Sequence, residues 1–244
     1  MKLLDGSRVH TLLSLGVALL FAAILRVPIA DIPLERDEGE YAYIGERWLR
    51  GEVPYRDAFD QKPPGVFLVY GAVIRTLGRS VSAIHWGAQI WSFGTVAAVW
   101  ALARSAGGNA VGAAAGLLFS LLFTNPGVLG NAANAETFLI LPSTLSLLAA
   151  LRARRSGSAR WALAAGVLAG MATLFKQVAL TNALLSVWIV ARGTRTRPKH
   201  DDLCIHVLQR GKEAGSVFGG GSGVLPEDRP WLRTGATKRA PPFS

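Results

Sequence analysis

The sequence predicts an all-α fold: a polytopic bundle of transmembrane helices, with an amphipathic loop on the outer face between the first two membrane segments. Half of the 244 residues are hydrophobic and the mean hydropathy is +0.32. Only 17% of the residues are charged, against about 25% in an ordinary soluble domain. Long apolar runs recur between Val9 and Ala191. Lipid is therefore the expected solvent for most of the chain.

The chain divides in composition after residue 192. Residues 1–192 carry the apolar runs and are predicted to form the transmembrane domain, whereas residues 193–244 are polar, basic and rich in Gly and Pro. We predict that this tail is disordered, because its apolar content is too low to offset the entropy of the chain. A premature end or a shifted reading frame that replaced later helices would leave a tail of the same composition.

The first membrane segments differ in length. Residues 9–30 are long enough, at 1.5 Å per residue, to cross a hydrocarbon core about 30 Å thick. The polar loop 31–63 places Tyr41, Ile44 and Trp48 at helical spacing, which predicts a short helix lying in the membrane interface. Residues 64–77 fall below the roughly 17 residues of a simple span. They are predicted to form a re-entrant or half-buried helix.

The later apolar segments are predicted to form two helical hairpins with a single helix between them. Residues 84–103 and 110–124 are separated by a glycine-containing turn, and residues 161–175 and 178–191 form the second pair. The helix 137–151 ends in a basic loop, 152–160, of the kind that marks the cytoplasmic side of a membrane protein.

The net charge of +10 follows from these basic connections. It indicates topology and attraction to anionic membrane lipids, and it does not require a nucleic-acid partner. With the loop 152–160 inside, the alternate connections fall at the outer face of a multi-pass protein of the cytoplasmic membrane. That face then carries six polar residues from separate stretches of sequence: Asp37, Glu38, Lys62, Asn134, Glu136 and Lys176.

Two motifs of the outer loop are dense in chemistry-bearing residues. Asp37 and Glu38 follow the first span and precede Tyr41, and Lys62 is followed by two prolines where the chain returns to the membrane. This ordered set resembles the GT-C superfamily of membrane glycosyltransferases. Within it, the set resembles the branch that includes protein O-mannosyltransferases and the aminoarabinose transferases of lipid A.

Two further segments extend the resemblance. The stretch with Asn134 and Glu136 is similar to the second acidic segment of the family, although many members carry Asp there. The stretch with Lys176 is similar to a lysine segment at the outer end of a later helix. The resemblance covers about residues 12–192 and implies a polyprenyl-phosphate sugar donor, inversion at the anomeric carbon and an acceptor hydroxyl on a lipid, glycan or protein.

The residue types also suit this chemistry directly. A carboxylate can take the acceptor proton, while a cation neutralises the departing phosphate. Asp37 is the candidate general base, and Lys62 and Lys176 are candidates for the phosphate. The other substrate-binding candidates are Glu38, Asn134 and Glu136.

Structural roles remain open for the same residues. Asp37 and Glu38 could begin a helix, whose N-terminus favours acidic side chains, and Glu38 could instead orient the loop. Lys62 and Lys176 could be interfacial lysines that snorkel. Glu136 could cap the helix that follows it.

No cofactor or metal site is expected. His85 has no second histidine at ligand spacing, and Cys204 is the one cysteine of the chain. Two functions remain as alternatives to an active glycosyltransferase. One is an inactive fragment of such an enzyme. The other is a polytopic transporter or lipid flippase, which would also need polar groups in the membrane.

Overall fold

The computed structural model describes residues 6–194, which fold into seven α-helices without a β-strand in that part of the chain. The all-α prediction is confirmed. The helices are α1 (Gly6–Arg26), α2 (Arg36–Leu49), α3 (Gly65–Leu77), α4 (Val81–Leu122), α5 (Ala135–Ser156), α6 (Ala159–Thr173) and α7 (Leu180–Thr194). Gly193 and Thr194 end α7, and the rest of the predicted tail lies outside the described residues.

Three stretches are long and apolar enough to cross a membrane: Gly6–Ile29, Val81–Leu122 and Ala135–Ser156. The other apolar helices are shorter. Helix α3 has 13 residues, in agreement with the predicted short helix, and α6 and α7 have 15 residues each. Fifteen residues cover about 22 Å at 1.5 Å per residue, so α6 and α7 need flanking residues to cross a 30 Å core.

Helix α4 is a helical hairpin. Its regular geometry breaks at Gly107 and Gly108, where Gly108 has φ +81° and ψ −171°, a conformation that is essentially restricted to glycine. After the break the chain runs back along itself, because Gly112 packs against Trp100 and Gly116 packs against Val96. The two predicted helical segments and the glycine turn between them are therefore confirmed.

Helix α2 is the amphipathic helix predicted in the outer loop. Glu35 and Glu38 form a reciprocal capping box at its first turn. Tyr41 and Ile44 are 1% and 2% exposed and lie in the core. This apolar face packs against α3, since Tyr41 lies edge-on against Tyr70.

The predicted basic loop 152–160 is mostly helical, so that prediction was wrong in extent. Helix α5 continues to Ser156 and α6 begins at Ala159. Arginine, alanine and leucine favour the helix, and it stops only at Gly157, which has φ +66° as expected of a glycine that ends a helix. The arginines of this stretch therefore project from the ends of helices.

The largest core cluster lies at one end of the bundle. Aromatic rings from α2, α3, α4 and α5 and the ring of Phe175 contact one another here in tilted, edge-to-face and stacked arrangements. The buried rings are Tyr41, Phe67, Tyr70, Phe138 and Phe175, and the partly buried Trp91 packs against them. Such pairs add about 0.5–1.5 kcal/mol each beyond their burial. This aromatic cluster is the platform on which the polar residues described next are held.

Candidate active site

Three connecting segments meet at the end of the bundle that carries the aromatic cluster: residues 31–64, 125–134 and 174–179. The Gly65 N–H donates to the Leu174 carbonyl at 2.8 Å, and the Gln177 side chain donates to the Gln61 carbonyl at 3.2 Å. The Tyr70 hydroxyl donates to the Ala133 carbonyl at 2.8 Å. All six candidate residues lie in these segments or in the helix turn next to them, and we call this end the site end.

Asp37 lies in the first turn of α2 and remains partly accessible. Its backbone N–H donates to the Glu35 carboxylate at 3.0 Å, which fixes the turn. Its side chain is 29% exposed, and Asp37 Oδ2 lies 3.7 Å from Lys62 Nζ. The structure therefore places the candidate base and the first candidate phosphate contact side by side, although 25 positions separate them in sequence.

Lys62 is held between two carboxylates. Besides Asp37, its ammonium nitrogen lies 4.0 Å from Asp60 Oδ1 and 5.6 Å from the centre of the Tyr41 ring. The Lys62 side chain is only 15% exposed. The Tyr55 hydroxyl donates to the Lys62 carbonyl at 2.7 Å and so fixes the backbone before the two prolines.

Asp60 belongs to this group, although no motif in the sequence marks it. It is 8% exposed, and its Oδ1 accepts the Lys62 N–H at 3.2 Å. Among residues 6–194, Asp60 Oδ2 has no hydrogen-bond partner, which is costly for a buried charged oxygen. An acidic residue in a polar loop carries no local signal of burial, so only the fold reveals it.

Tyr41 lies close to several acidic side chains. Its hydroxyl donates to Asp37 Oδ2 at 3.5 Å. Burial raises the pKa of the Tyr41 phenol well above its usual range, and the nearby charges of Asp37, Asp60 and Glu136 raise it further. Tyr41 therefore keeps its hydroxyl proton at neutral pH and can donate it in a hydrogen bond. The three carboxylates lie near this hydroxyl.

Glu38 is buried behind Asp37, with 1% of its surface exposed. Its carboxylate accepts the Glu35 N–H at 2.7 Å, the Ala133 N–H at 2.6 Å and His85 Nε2 at 3.1 Å. Burial alone would raise the pKa of Glu38, but these hydrogen bonds and the charge of His85 outweigh it and lower the pKa. Glu38 is thus an ionised anchor between the first turn of α2 and the segment before α5.

His85 completes this anchor. Its Nδ1 lies 3.0 Å from the Ala30 carbonyl oxygen, which can only accept a hydrogen bond. Its Nε2 faces the ionised Glu38, which also accepts, so both ring nitrogens carry protons and the imidazole is positively charged. The His85 ring is 2% exposed and lies among protein groups.

The second candidate pair lies at the start of α5. Lys176 donates to the Glu136 carboxylate across 40 positions of sequence, and both side chains are partly exposed. Helix α5 begins at Ala135 with Asn134 at the N-cap position, so Glu136 lies in its first turn instead of capping it. Asn134 is 6% exposed, and within the described part of the chain its Oδ1 has no partner.

Arg26 is a further buried charge that the sequence did not mark. It is 3% exposed, and its guanidinium donates to the Gln89 side chain at 3.1 Å and to the Phe123 carbonyl at 2.9 Å. It also donates to the Gly130 carbonyl at 3.2 Å. Arg26 therefore ties the end of α1 to both arms of α4 and to the segment that carries Asn134.

Comparison with known proteins identifies a family. A family model described as dolichyl-phosphate-mannose-protein mannosyltransferase matches residues 61–206, more than half of the chain. The matched stretch contains Lys62, Asn134, Glu136 and Lys176 and extends into the predicted tail, whereas Asp37 and Glu38 precede it. No curated protein and no solved structure matches the chain.

Proposed function

The chain belongs to the dolichyl-phosphate-mannose-protein mannosyltransferase family, and from this membership we propose that it transfers a sugar from a polyprenyl-phosphate donor to an acceptor hydroxyl. As a member it is a membrane glycosyltransferase of the GT-C type. We place the transfer at the outer face of the cytoplasmic membrane. The observation that carries the proposal is the pairing of Asp37 with Lys62 at 3.7 Å, next to the second pair of Glu136 with Lys176.

The reaction assigns one role to each charged group. The acceptor oxygen attacks the anomeric carbon, and Asp37 takes the proton of the acceptor hydroxyl. The bond between the anomeric carbon and the phosphate oxygen breaks, and polyprenyl phosphate leaves with the electron pair. Lys62 and Lys176 neutralise the charge of that phosphate. Asn134 and Glu136 contact the substrate, and Glu38 holds the turn that carries Asp37.

A donor-consumption assay tests the proposal. Membranes that contain the full chain are supplied with polyprenyl-phosphate mannose labelled in the sugar, and with the matching glucose and arabinose donors. We expect one donor to lose its label from the lipid phosphate in a chain-dependent way. A wild-type chain that leaves every donor intact would contradict the function and would favour the inactive fragment.

The outward orientation of the site end is tested by cysteine labelling in intact cells. The chain carries Cys204→Ala with either Gly39→Cys or Ser156→Cys, and a membrane-impermeant maleimide is added from outside. Both positions are exposed, and a Cβ at Gly39 meets no atom within 4 Å. We expect labelling of Gly39→Cys and not of Ser156→Cys. The reverse pattern would place the site end in the cytoplasm.

Lys62→Ala is expected to raise the dissociation constant of the donor by about 10- to 100-fold, since a charge-assisted hydrogen bond contributes about 1.5–3 kcal/mol. The phosphate is charged before the reaction begins, so binding and turnover both suffer. Binding of a labelled polyprenyl-phosphate sugar to the purified chain measures this.

The matched control for Lys62 is Arg56→Ala in the same outer segment. Arg56 is exposed and, among residues 6–194, forms an ion pair only with its neighbour Asp57, so donor binding should change less than twofold. Equal losses in the two variants would mean that the donor responds to the general charge of the loop and not to Lys62.

A further inference from the structure

The end of the bundle opposite the site end carries a group of exposed arginines. We call it the arginine face and define it by Arg104, Arg152, Arg154, Arg155, Arg160 and Arg192, all of which are exposed. They lie just before the glycine break of α4, in the last two turns of α5, in the last turn of α7 and in the first turn of α6. Contacts join these elements, since Arg155 donates to the Ser105 carbonyl at 3.0 Å and Gly193 packs against Arg154.

No carboxylate neutralises this face within the described part of the chain. Between residues 6 and 194, every Asp and Glu lies in residues 31–60 or at residue 136, all at the site end. Five arginines near the site end differ in this respect. Arg36, Arg47, Arg50, Arg56 and Arg79 each pair with a carboxylate, whereas the arginine face has no ion pair among the described residues.

Aromatic side chains hold several of these guanidinium groups in place. The Arg152 guanidinium lies 4.8 Å from the Trp161 ring centre, and the Arg192 guanidinium lies 4.3 Å from that of Trp188. Stacking of this kind pre-organises the cation and leaves its N–H donors free for an anion. The charges are thus fixed by uncharged neighbours.

The same tryptophans indicate the depth of the face in the membrane. Trp161 and Trp188 are 39% and 49% exposed, and strongly exposed apolar residues such as Leu163 and Val187 follow or precede them on the same helices. Exposed tryptophans at the end of apolar helices lie at the level of the lipid headgroups. The stacked arginines beside them then lie where lipid phosphates are found.

We propose that the arginine face is a binding site for anionic phospholipid headgroups, with Arg152, Arg155 and Arg192 as its principal contacts. The planar guanidinium matches a phosphate diester with two parallel hydrogen bonds. The exposed apolar helix surface below each arginine accommodates the acyl chains. A nucleic acid offers the same phosphates but has no acyl chains to contact this apolar surface.

The test uses the purified full chain in a neutral detergent. Binding of phosphatidylglycerol and of phosphatidylcholine is measured by titration with native mass spectrometry. The test variant carries Arg152→Gln, Arg155→Gln and Arg192→Gln together. Removal of three charges near an anionic lipid should weaken phosphatidylglycerol binding by about a hundredfold and leave phosphatidylcholine binding unchanged. The matched control carries Arg50→Gln, Arg56→Gln and Arg79→Gln, which removes the same charge from exposed positions at the site end.

A charge-preserving variant covers the case in which the glutamine variant does not fold. Substitution of the same three arginines by lysine should keep phosphatidylglycerol binding within about tenfold of wild type, and binding to the wild type should fall steeply with added salt. The proposal is overturned if the wild type does not prefer phosphatidylglycerol to phosphatidylcholine, or if the control triple loses as much as the test triple. It is also overturned if inorganic phosphate or a short DNA duplex competes as well as the lipid.

Discussion

Asp37→Asn is expected to lower sugar turnover by about 10²- to 10⁴-fold, the range that a positioned general base contributes. The dissociation constant of the donor should stay within about threefold of wild type. Asparagine keeps the size and polarity of the side chain but cannot take the acceptor proton. The distance of 3.7 Å between Lys62 Nζ and the Asp37 carboxylate is longer than a hydrogen bond, so the lysine remains available to the phosphate.

Single-turnover transfer from a labelled polyprenyl-phosphate sugar, with donor binding measured separately, distinguishes the two steps. Asp57→Asn is the matched control, since Asp57 is an exposed aspartate in the same outer segment and pairs with Arg56. It should transfer sugar within about twofold of wild type. If Asp37→Asn transfers at the wild-type rate, the base lies elsewhere, and Asp60 and Glu136 become the residues to test.

The helices of this protein could be predicted largely from local pattern. The hairpin in α4 follows from an apolar run interrupted by two adjacent glycines, and Gly108 has the positive φ that such a turn requires. The error at residues 152–160 has a local cause as well. The charge of this basic run predicts a loop, although arginine favours a helix and only Gly157 interrupts the helical residues.

The sequence indicated which residues belong to the site better than it indicated which of them contact each other. Asp37, Lys62 and Lys176 stand out because each follows or precedes an apolar segment at the same predicted face. Their partners could not be deduced, because Lys176 meets Glu136 across 40 positions and Glu38 meets Ala133 across 95. Contacts of such separation depend on how α3, α4 and α5 pack, which no local spacing determines.

His85 and Asp60 show most clearly which site residues the sequence alone could not identify. A histidine within an apolar window looks like any packed histidine until the Ala30 carbonyl and the Glu38 carboxylate are found on its two ring nitrogens. Asp60 resembles the other acidic residues of its loop until its burial is known. In both cases the chemistry comes from what surrounds the side chain and not from its own position in a motif.

Glu38→Ala is expected to lower the free energy of unfolding by about 3–5 kcal/mol, the cost of removing one partner of a buried ion pair. The variant leaves the His85 imidazolium and the backbone N–H groups of Glu35 and Ala133 without their acceptor. It also frees the turn that positions Asp37, so turnover should fall along with stability. Unfolding in a detergent mixture, followed by circular dichroism, measures the first effect, and the transfer assay measures the second.

The controls separate this anchor from a general effect of charge on α2. Glu40→Ala removes an exposed carboxylate two residues further along the helix and should cost less than about 0.5 kcal/mol. Replacement of Glu38 and His85 together by leucine should cost clearly less than the sum of the single changes, since neither charge is then left unpaired. Additive losses in that cycle would show that the two residues act independently.

The pH dependence gives an independent measure of the same anchor. The folded protein lowers the pKa of Glu38 below its ordinary value of 4.5. The ionised carboxylate therefore stabilises the fold fully at pH values above 4.5. Its contribution is lost as the pH falls through the lowered pKa and Glu38 becomes protonated. Glu38→Gln should therefore remove part of the acid sensitivity of wild-type unfolding, while Glu40→Gln should leave it in place. Identical acid sensitivity in wild type and Glu38→Gln would mean that the ionised Glu38 does not stabilise the segment before α5.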